Sequence, residues 1–307
     1  MECPLCHNNL FEPLRAPRRG ARQSRIDSLH RCRTCGLVSV REMPRPEDLH
    51  AVYGEAYFRN SRSDEIGYDD YEADRFCILR TANRRLEAIE KFVPTRGRLL
   101  DVGCALGFFM EAATRRGWLV EGVDISEHAT SYARDELGID ARTGTLQTVP
   151  FESGTYDVVT AWDVIEHVTD PVGELRAMRR LLRPGGLLVL STPDIGSRLA
   201  KVTKSRWMGF KLAEEHLVYF DRNTVEKAVA HAGFEVVEMR PIGKDVSLEF
   251  FSRRLQLYAG PFAKLMEKAV NAAGLGRASV YANPRDILMV IARRPSPDRG
   301  DLSPLHK

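Results

Sequence analysis

Long apolar runs are missing from this chain. Stretches such as Gly186-Leu187-Leu188-Val189-Leu190 break within about ten positions, short of the roughly 18 residues that a spanning helix needs. The expectation is therefore no membrane span. Excess charge is missing too: 45 Lys and Arg stand against 42 Asp and Glu, a net +3, which argues against a histone-like or polyanionic chain. At 43% hydrophobic and 28% charged residues, the composition is not that of a disordered segment. Met1-Glu2-Cys3-Pro4 has no basic region leading into an apolar stretch, so no signal peptide is expected and the cytoplasm is the expected compartment. No internal repeat is visible. At about 150 residues per domain, 307 residues allow two domains at most.

Six cysteines are present, and four fall in two pairs, Cys3-Pro4-Leu5-Cys6 and Cys32-Arg33-Thr34-Cys35. Two residues between thiols is metal-ligand spacing: each turn aims two thiolates at one centre, and two such turns complete a closed tetrahedral zinc site. His7 and His30 lie beside these turns and offer alternative ligands. Cys77 and Cys104 have no partner at such spacing and read as small buried side chains. Between Pro13 and Arg33 seven arginines stand against Asp27 as the one acid, so the basic charge gathers on this N-terminal module. A loop of this kind suits a phosphate-bearing substrate or an RNA backbone, or simply solvent. No aromatic residue interleaves its arginines, which weakens the single-strand nucleic-acid reading.

Beyond a Pro-containing stretch near 41–46, Phe76, Leu79, Leu86, Ile89 and Phe92 recur at roughly helical spacing until Pro94 stops them. From Gly97 the pattern alternates. Strands are expected at Arg98–Val102, Leu119–Asp124, near Ile139–Arg142, at Tyr156–Ala161, Leu187–Ser191, Phe234–Arg240 and Asp286–Ala292. Helices are expected at Gly107–Gly117, Ser126–Leu137, Pro171–Leu182 and Asn223–Ala232. This implies an α/β fold with a parallel sheet covered on both faces. The excursion Pro241–Arg285 reads as helical and the residues after Arg294 as a frayed tail. The expected organisation is a zinc-ribbon module over 1–45, a helical linker or lid over 46–95, a domain over 96–295 with a helical insertion at 241–285, and a tail over 296–307.

The sharpest signal is Leu99-Leu-Asp101-Val-Gly103-Cys104-Ala105-Leu106-Gly107, followed by Glu121-Gly-Val-Asp124 at the end of the next strand. A glycine-rich turn between strand and helix admits a ligand close to backbone, and the acid of the second strand can accept two ribose hydroxyls. A dinucleotide fingerprint would place glycines at 103, 105 and 108, whereas the chain has Gly103, Ala105 and Phe108. NAD is disfavoured.

Here the chain resembles the class I S-adenosylmethionine (SAM)-dependent methyltransferases, in particular the broad group that includes the ubiquinone-biosynthesis O-methyltransferases and many tailoring enzymes. The resemblance spans about residues 75–240. Asp101-Val-Gly-Cys-Ala-Leu-Gly107 is similar to the family's cofactor loop, with Ala105 in a usual glycine place, and Val123-Asp124-Ile125 to its ribose-binding acid. Val149-Pro-Phe151 through Tyr156-Asp157-Val-Val159, Trp162-Asp163-Val-Ile-Glu166-His167 and Leu182-Arg-Pro-Gly-Gly186 resemble its later segments in order. The resemblance implies a Rossmann-like seven-stranded sheet with the last strand antiparallel. It implies SAM held by Asp101, Gly103, Cys104, Ala105, Gly107, Asp124, Ile125, Leu146 and Trp162. Where the family often has an acid near the adenine, this chain has Gly144-Thr145-Leu146-Gln147.

Methyl transfer to a hydroxyl also needs its proton removed, and His216, His167 and Asp163 are the candidate bases. His216 follows Glu214-Glu215, whose carboxylates would raise its basicity. Asp163-x-x-Glu166-His167 resembles a sequence with which some quinone-pathway enzymes hold a divalent cation, and it also reads as structural. Trp207-Met-Gly-Phe210 and the excursion are candidates for a lid, or for burying each other. Arg253, Arg254, Lys264 and Lys268 permit an interfacial helix. The leading expectation is a SAM-dependent methyltransferase with a structural zinc, acting on a hydroxyl of a small-molecule or carbohydrate-type acceptor. The alternatives are a zinc-ribbon RNA methyltransferase, which would carry an Asn-Pro-Pro-Tyr-type motif that is absent here, and a non-catalytic SAM-binding scaffold. Oligomeric state is not legible.

Overall fold

The computed structural model describes residues 2–14, 28–45, 55–58, 71–211 and 216–296. The arginine-rich loop between the cysteine turns, the Glu214-Glu215 pair and the C-terminal tail lie outside the described residues. Three short strands open the chain, β1 (Phe11–Pro13), β2 (Leu29–Cys32) and β3 (Val38–Val40). Helix α1 (Arg75–Glu90) follows, and then strand and helix alternate: β4 (Arg98–Val102), α2 (Phe108–Arg115), β5 (Leu119–Asp124), α3 (Glu127–Asp135), β6 (Asp140–Thr143), β7 (Tyr156–Trp162) and α4 (Pro171–Leu181). The last part holds β8 (Leu182–Pro193), β9 (Val218–Tyr219), α5 (Arg222–His231), β10 (Glu235–Pro241), β11 (Lys244–Ser247), α6 (Leu248–Ala272), β12 (Ser279–Ala282) and β13 (Ile287–Arg293).

The main sheet has seven strands in the order β10-β13-β8-β7-β4-β5-β6. β8, β7, β4, β5 and β6 run parallel, and the last strand, β13, lies antiparallel between β10 and β8. The central strands are apolar on both faces, as a sheet covered on both sides requires. Leu100, Val159, Leu188, Leu190 and Val290 face α4, α5 and the N-terminal module. Their neighbours Leu99, Val158, Leu187, Val189 and Met289 face α1, α2 and Trp118. The alternation follows from the two-residue period of a strand.

Local chemistry explains where the helices start. Ser126 accepts from the Ala129 amide ahead of α3, Asp170 accepts from Gly173 with Pro171 at the first position of α4, and Asp221 with Thr224 forms a capping box ahead of α5. Sequence periodicity misplaced one residue of α1. Phe76 is 59% exposed beneath the Arg80 guanidinium, whereas Cys77 takes the buried place. β8 also starts earlier than expected: it runs through Pro184-Gly185-Gly186, and Leu182 already pairs with Tyr156.

Two further elements differ from the sequence reading. The excursion after β10 is not wholly helical, because β11 and β12 pair antiparallel at the two ends of α6. β11 is fixed to α1, where buried Asp245 accepts from Arg80 Nε at 3.1 Å and Arg84 Nε at 2.7 Å, and its amide donates to Thr81 Oγ1 at 2.8 Å. The N-terminal strands are also not a separate sheet. β9, from the middle of the later region, pairs with β3 and completes the order β1-β2-β3-β9. Cys3, Leu5, Cys32 and Leu37 share one buried cluster with Leu217, Val218 and Phe220.

Candidate functional site

A cavity of about 790 Å³ opens at the C-terminal ends of β4, β5 and β7, where ligands enter sheets of this kind. Its floor is the Asp101–Ala105 stretch, the end of β4 and the start of the loop after it. Gly103 has φ +72°, and an added Cβ would sit 2.5 Å from Val164 Cγ2, so the position admits glycine alone without rearrangement. Gly103 and Cys104 donate their amides to the Val123 carbonyl at 2.8 and 3.1 Å, which staples the loop to β5. Ala105, in a usual glycine place, adopts φ +47°. Its cost lies in the backbone rather than in room, about 1–2 kcal/mol for a non-glycine residue in the left-handed region. A hydrogen bond from its amide to Asp124 Oδ2 at 2.9 Å holds it there.

Asp124 accepts a second amide, from Ser126 at Oδ1, also at 2.9 Å. Burial raises its carboxyl above the ordinary value, and the two amide donors act against that shift. Each carboxylate oxygen can take about two hydrogen bonds, so capacity remains for a diol. Asp101, at 1% exposure, accepts from Thr160 Oγ1 at 2.6 Å, and burial pushes its carboxyl up to about 7. Ile125, Leu146 and Trp162 line the same cavity. Gly107 does not: it caps α2 at φ +85°. At the 144–147 turn, Gln147 Nε2 donates to Glu174 Oε2 at 2.8 Å, so an acid does reach this end of the cavity, from α4.

The opposite wall carries the candidate bases, and the structure separates them. Asp163, at φ +56°, accepts from Ser191 Oγ at 2.8 Å and from Lys244 Nζ at 2.6 Å, with Arg85 Nη2 at 3.9 Å. Burial works to raise its carboxyl, but Lys244 and Arg85 outweigh it and hold the group well below the usual carboxylate range. That makes Asp163 a poor proton acceptor, contrary to its place among the candidate bases. His167 lines the cavity. His216 stands behind it, buried to 3% exposure, with ring centroids 4.8 Å apart in an edge-to-face contact. Burial and the neighbouring His167 keep the His216 pKa well below its ordinary value, so the ring is neutral. The expectation of a substrate-facing His216 with raised basicity is corrected on both counts.

Glu166, between these groups in sequence, is 1% exposed, and neither carboxylate oxygen has a hydrogen-bond partner among the described residues. Burial and the Asp163 charge raise its carboxyl well above normal. One donor atom each from Glu166, His167 and His216 lies within 4.8 Å of the others, a carboxylate and imidazole set suited to a divalent cation. Asp163 is outside that set and pairs with Lys244.

Among the cavity residues that escaped the sequence reading, Arg85 and Lys244 bring positive charge to the wall. Arg85 of α1 lays its guanidinium over the Trp162 ring at 4.2 Å, and its Nε and Nη2 are buried without a hydrogen-bond partner among the described residues. Lys244 reaches in from β11. The available signal for Arg85 was a charged residue one helical turn after Thr81 on the face that carries Ala88 and Ile89 inward; Lys244 had no such signal, because its strand was read as helix. Trp207 is fully buried and donates from Nε1 to Asp286 Oδ2 at 2.9 Å, and Phe210 stacks edge-on against it, so this segment is a wedge rather than a lid. Val246 and Phe250 of the excursion do line the cavity.

Away from the cavity, the Sγ atoms of Cys3, Cys6, Cys32 and Cys35 all lie within 4.8 Å of one another, with Cys3 to Cys35 and Cys6 to Cys32 at 3.5 Å. Four thiolates about 2.3 Å from a tetrahedral zinc would stand about 3.8 Å apart, so the donor set fits that ion. None of the six cysteines is in a disulfide. His7 pairs with Glu2 and His30 with the Ser28 carbonyl, so neither replaces a thiolate. Cys77 and Cys104 are both buried, as expected, and both stand on the cavity wall.

Comparison with known proteins bears on this geometry. A family model described as a methyltransferase domain matches residues 71–239. A ubiquinone biosynthesis O-methyltransferase of Xanthomonas campestris pv. campestris (strain B100) is 32% identical over 157 residues, covering 43% of this chain and 65% of that protein. One of Marinobacter nauticus is 38% identical over 117 residues, covering 35% and 49%. The chain thus spans about half to two-thirds of the length of these curated relatives. Among solved structures, a putative sarcosine dimethylglycine methyltransferase from Galdieria sulphuraria shares the fold with a TM-score of 0.50 at 15% identity, over 81% of this chain and 98% of that one. No helix among the described residues is long and apolar enough to cross a membrane.

Proposed function

Because the chain belongs to the class I SAM-dependent methyltransferases, we propose that it moves the SAM methyl group onto a hydroxyl oxygen of a small-molecule or carbohydrate-type acceptor. The observation that carries this reading is one cavity with two ends. The Gly103 loop and Asp124 form one, and His167 stands on the wall of the other. SAM supplies an electrophilic methyl carbon, and the protein's task is alignment, because an in-line displacement needs the nucleophile about 3 Å away and collinear. Asp124 receives the ribose hydroxyls through the acceptor capacity its two amide donors leave. The Arg85 Nε and Nη2, which make no hydrogen bond among the described residues, suit the carboxylate of the methionine part. His167 takes the acceptor's proton, and neutral His216 holds the ring from behind. The four cysteines hold a structural zinc in the module over 1–45, and residues 96–295 form the transfer domain.

Calorimetric titration of SAM into the wild type and Asp124→Ala tests the cofactor part. Losing a charged acceptor of ligand hydroxyls should weaken binding about 10- to 100-fold, equivalent to about 1.4–2.8 kcal/mol. Absent binding, or equal binding by a folded variant, refutes it. Labelled SAM offered with a host metabolite extract identifies the acceptor, and methyl incorporation into RNA alone would displace the small-molecule reading.

A further inference from the structure

The four-cysteine module has a physical route to the base end of the cavity, and that route is a strand. Ser39 and Val38 of β3 pair with Val218 and Tyr219 of β9, and the Val40 amide donates to the Leu217 carbonyl at 2.9 Å. The residue before Leu217 is His216. On the other side, the Leu217 and Val218 amides both donate to the Glu166 carbonyl, at 2.8 and 3.1 Å. His167 follows Glu166 directly and donates its own amide to Val164. One residue, Leu217, therefore takes a hydrogen bond from the cysteine module and gives one to the turn that carries the cavity histidine.

The module is held at a second place. Lys227 Nζ donates to the Cys35 carbonyl and His231 Nδ1 lies 3.2 Å from the Leu5 carbonyl, so both cysteine turns are bound to α5. Leu29, Val38 and Leu37 are buried to 1% exposure or less. A module that served only as a mobile arm for a remote partner would need none of this. A three-residue strand such as β3 has little pairing energy of its own, and a metal ion on the four thiols, which lie within 4.8 Å of one another, would hold Cys32 and Cys35 together with Cys3 and Cys6 beside it.

We propose that the metal-loaded cysteine module is a positioning element for the acceptor end of the cavity: through β3, β9 and Leu217 it fixes the His216 ring and the Glu166-His167 turn against each other. Val40 and Leu217 act as positioning residues, because neither lines the cavity. The proposal rests on the methyl-transfer reading only for the use made of His167. The SAM end hangs on β4 and β5, outside this route.

The test uses the full chain, with ring-nitrogen labelled histidine observed by NMR and the His167 and His216 signals assigned from His167→Gln and His216→Gln. Zinc is removed with a chelator, its loss is measured by elemental analysis, and SAM affinity is titrated in parallel. The expected result is release of about one zinc per chain, displaced signals from both rings, and a SAM Kd within about threefold of the loaded protein. Val40→Pro covers the case in which chelation unfolds the chain. It removes the single amide donated to Leu217 and leaves every cysteine in place, so it should keep zinc yet displace the same two signals. Unmoved histidine signals in a zinc-retaining Val40→Pro, or in a folded zinc-free protein, overturn the proposal, as does a chain that binds no zinc. A wild type that fails to bind SAM removes the methyl-transfer reading instead and leaves the histidine result standing.

Discussion

Replacing Asp101 with asparagine is expected to stabilise the ligand-free protein in neutral to alkaline solution and to do much less in acid. The wild-type carboxyl is pushed up to about 7 by burial, against about 3.9 in an unfolded chain, a gap of about three units. A raised folded-state pKa contributes stability that is fully present below the unfolded value and is lost as pH rises through the folded one. At about 1.4 kcal/mol per unit, burying this titratable carboxyl on folding costs about 1.5 kcal/mol at pH 5, where it folds by taking up a proton, and about 4 kcal/mol at pH 8, where it is largely ionised. Asparagine has no charge to bury, and its amide oxygen can still accept the Thr160 hydroxyl that now meets Oδ1 at 2.6 Å. The variant's advantage should therefore grow by about 2–3 kcal/mol between pH 5 and pH 8. Urea unfolding of both proteins, free of SAM, at the two pH values measures this directly. A difference in unfolding free energy that is the same at both pH values would refute the argument that burial, rather than the Thr160 contact, dominates this carboxyl.

Two further substitutions test the packing around the site. Lys244→Met removes the ammonium that meets Asp163 at 2.6 Å, and should cost about 1–2 kcal/mol, less than the 3–5 of a fully buried pair because Lys244 is 37% exposed. Because the Asp163 carboxyl is held low in the folded protein, that contribution is present above pH 4 or so and fades as pH falls further. A variant as stable as wild type at pH 7 in thermal unfolding would show the pair to be ornamental. Trp207→Phe leaves the buried Asp286 carboxylate without its indole donor and should cost about 2–3 kcal/mol by urea unfolding, whereas a loss under about 0.5 kcal/mol would contradict the wedge role.

Strands and helices were legible where a local rule sufficed. The apolar runs at Leu99-Leu100, Val158-Val159 and Leu187–Leu190 could only be buried on both faces, and Ser126 announced the helix that follows it. The excursion was misread because α6 dominates its pattern, while β11 and β12 are four residues each and exist by pairing across the helix. Ala105 shows the same limit at one residue. Its substitution for glycine was visible, but its left-handed φ was not, because that angle is set by the Asp124 carboxylate beyond the loop.

What the sequence determined by itself is whatever depends on neighbours along the chain: the strand and helix order, the glycine loop closed against the acid of β5, and the spacing of four thiols. Charge and proton affinity at the site were decided only in three dimensions. His216 was expected to be basic from the carboxylates beside it in sequence, yet it is neutral because burial and the neighbouring His167 ring lower its proton affinity. Asp163 was a candidate base until β11 brought Lys244 onto it. The net charge, by contrast, is a sequence property and divides along the chain into a basic N-terminal segment and a slightly acidic remainder, as two domains would. The pairing of β3 with β9 joins those parts into one sheet, because a strand's hydrogen bonds are made with whichever strand the fold lays beside it, and sequence distance does not enter.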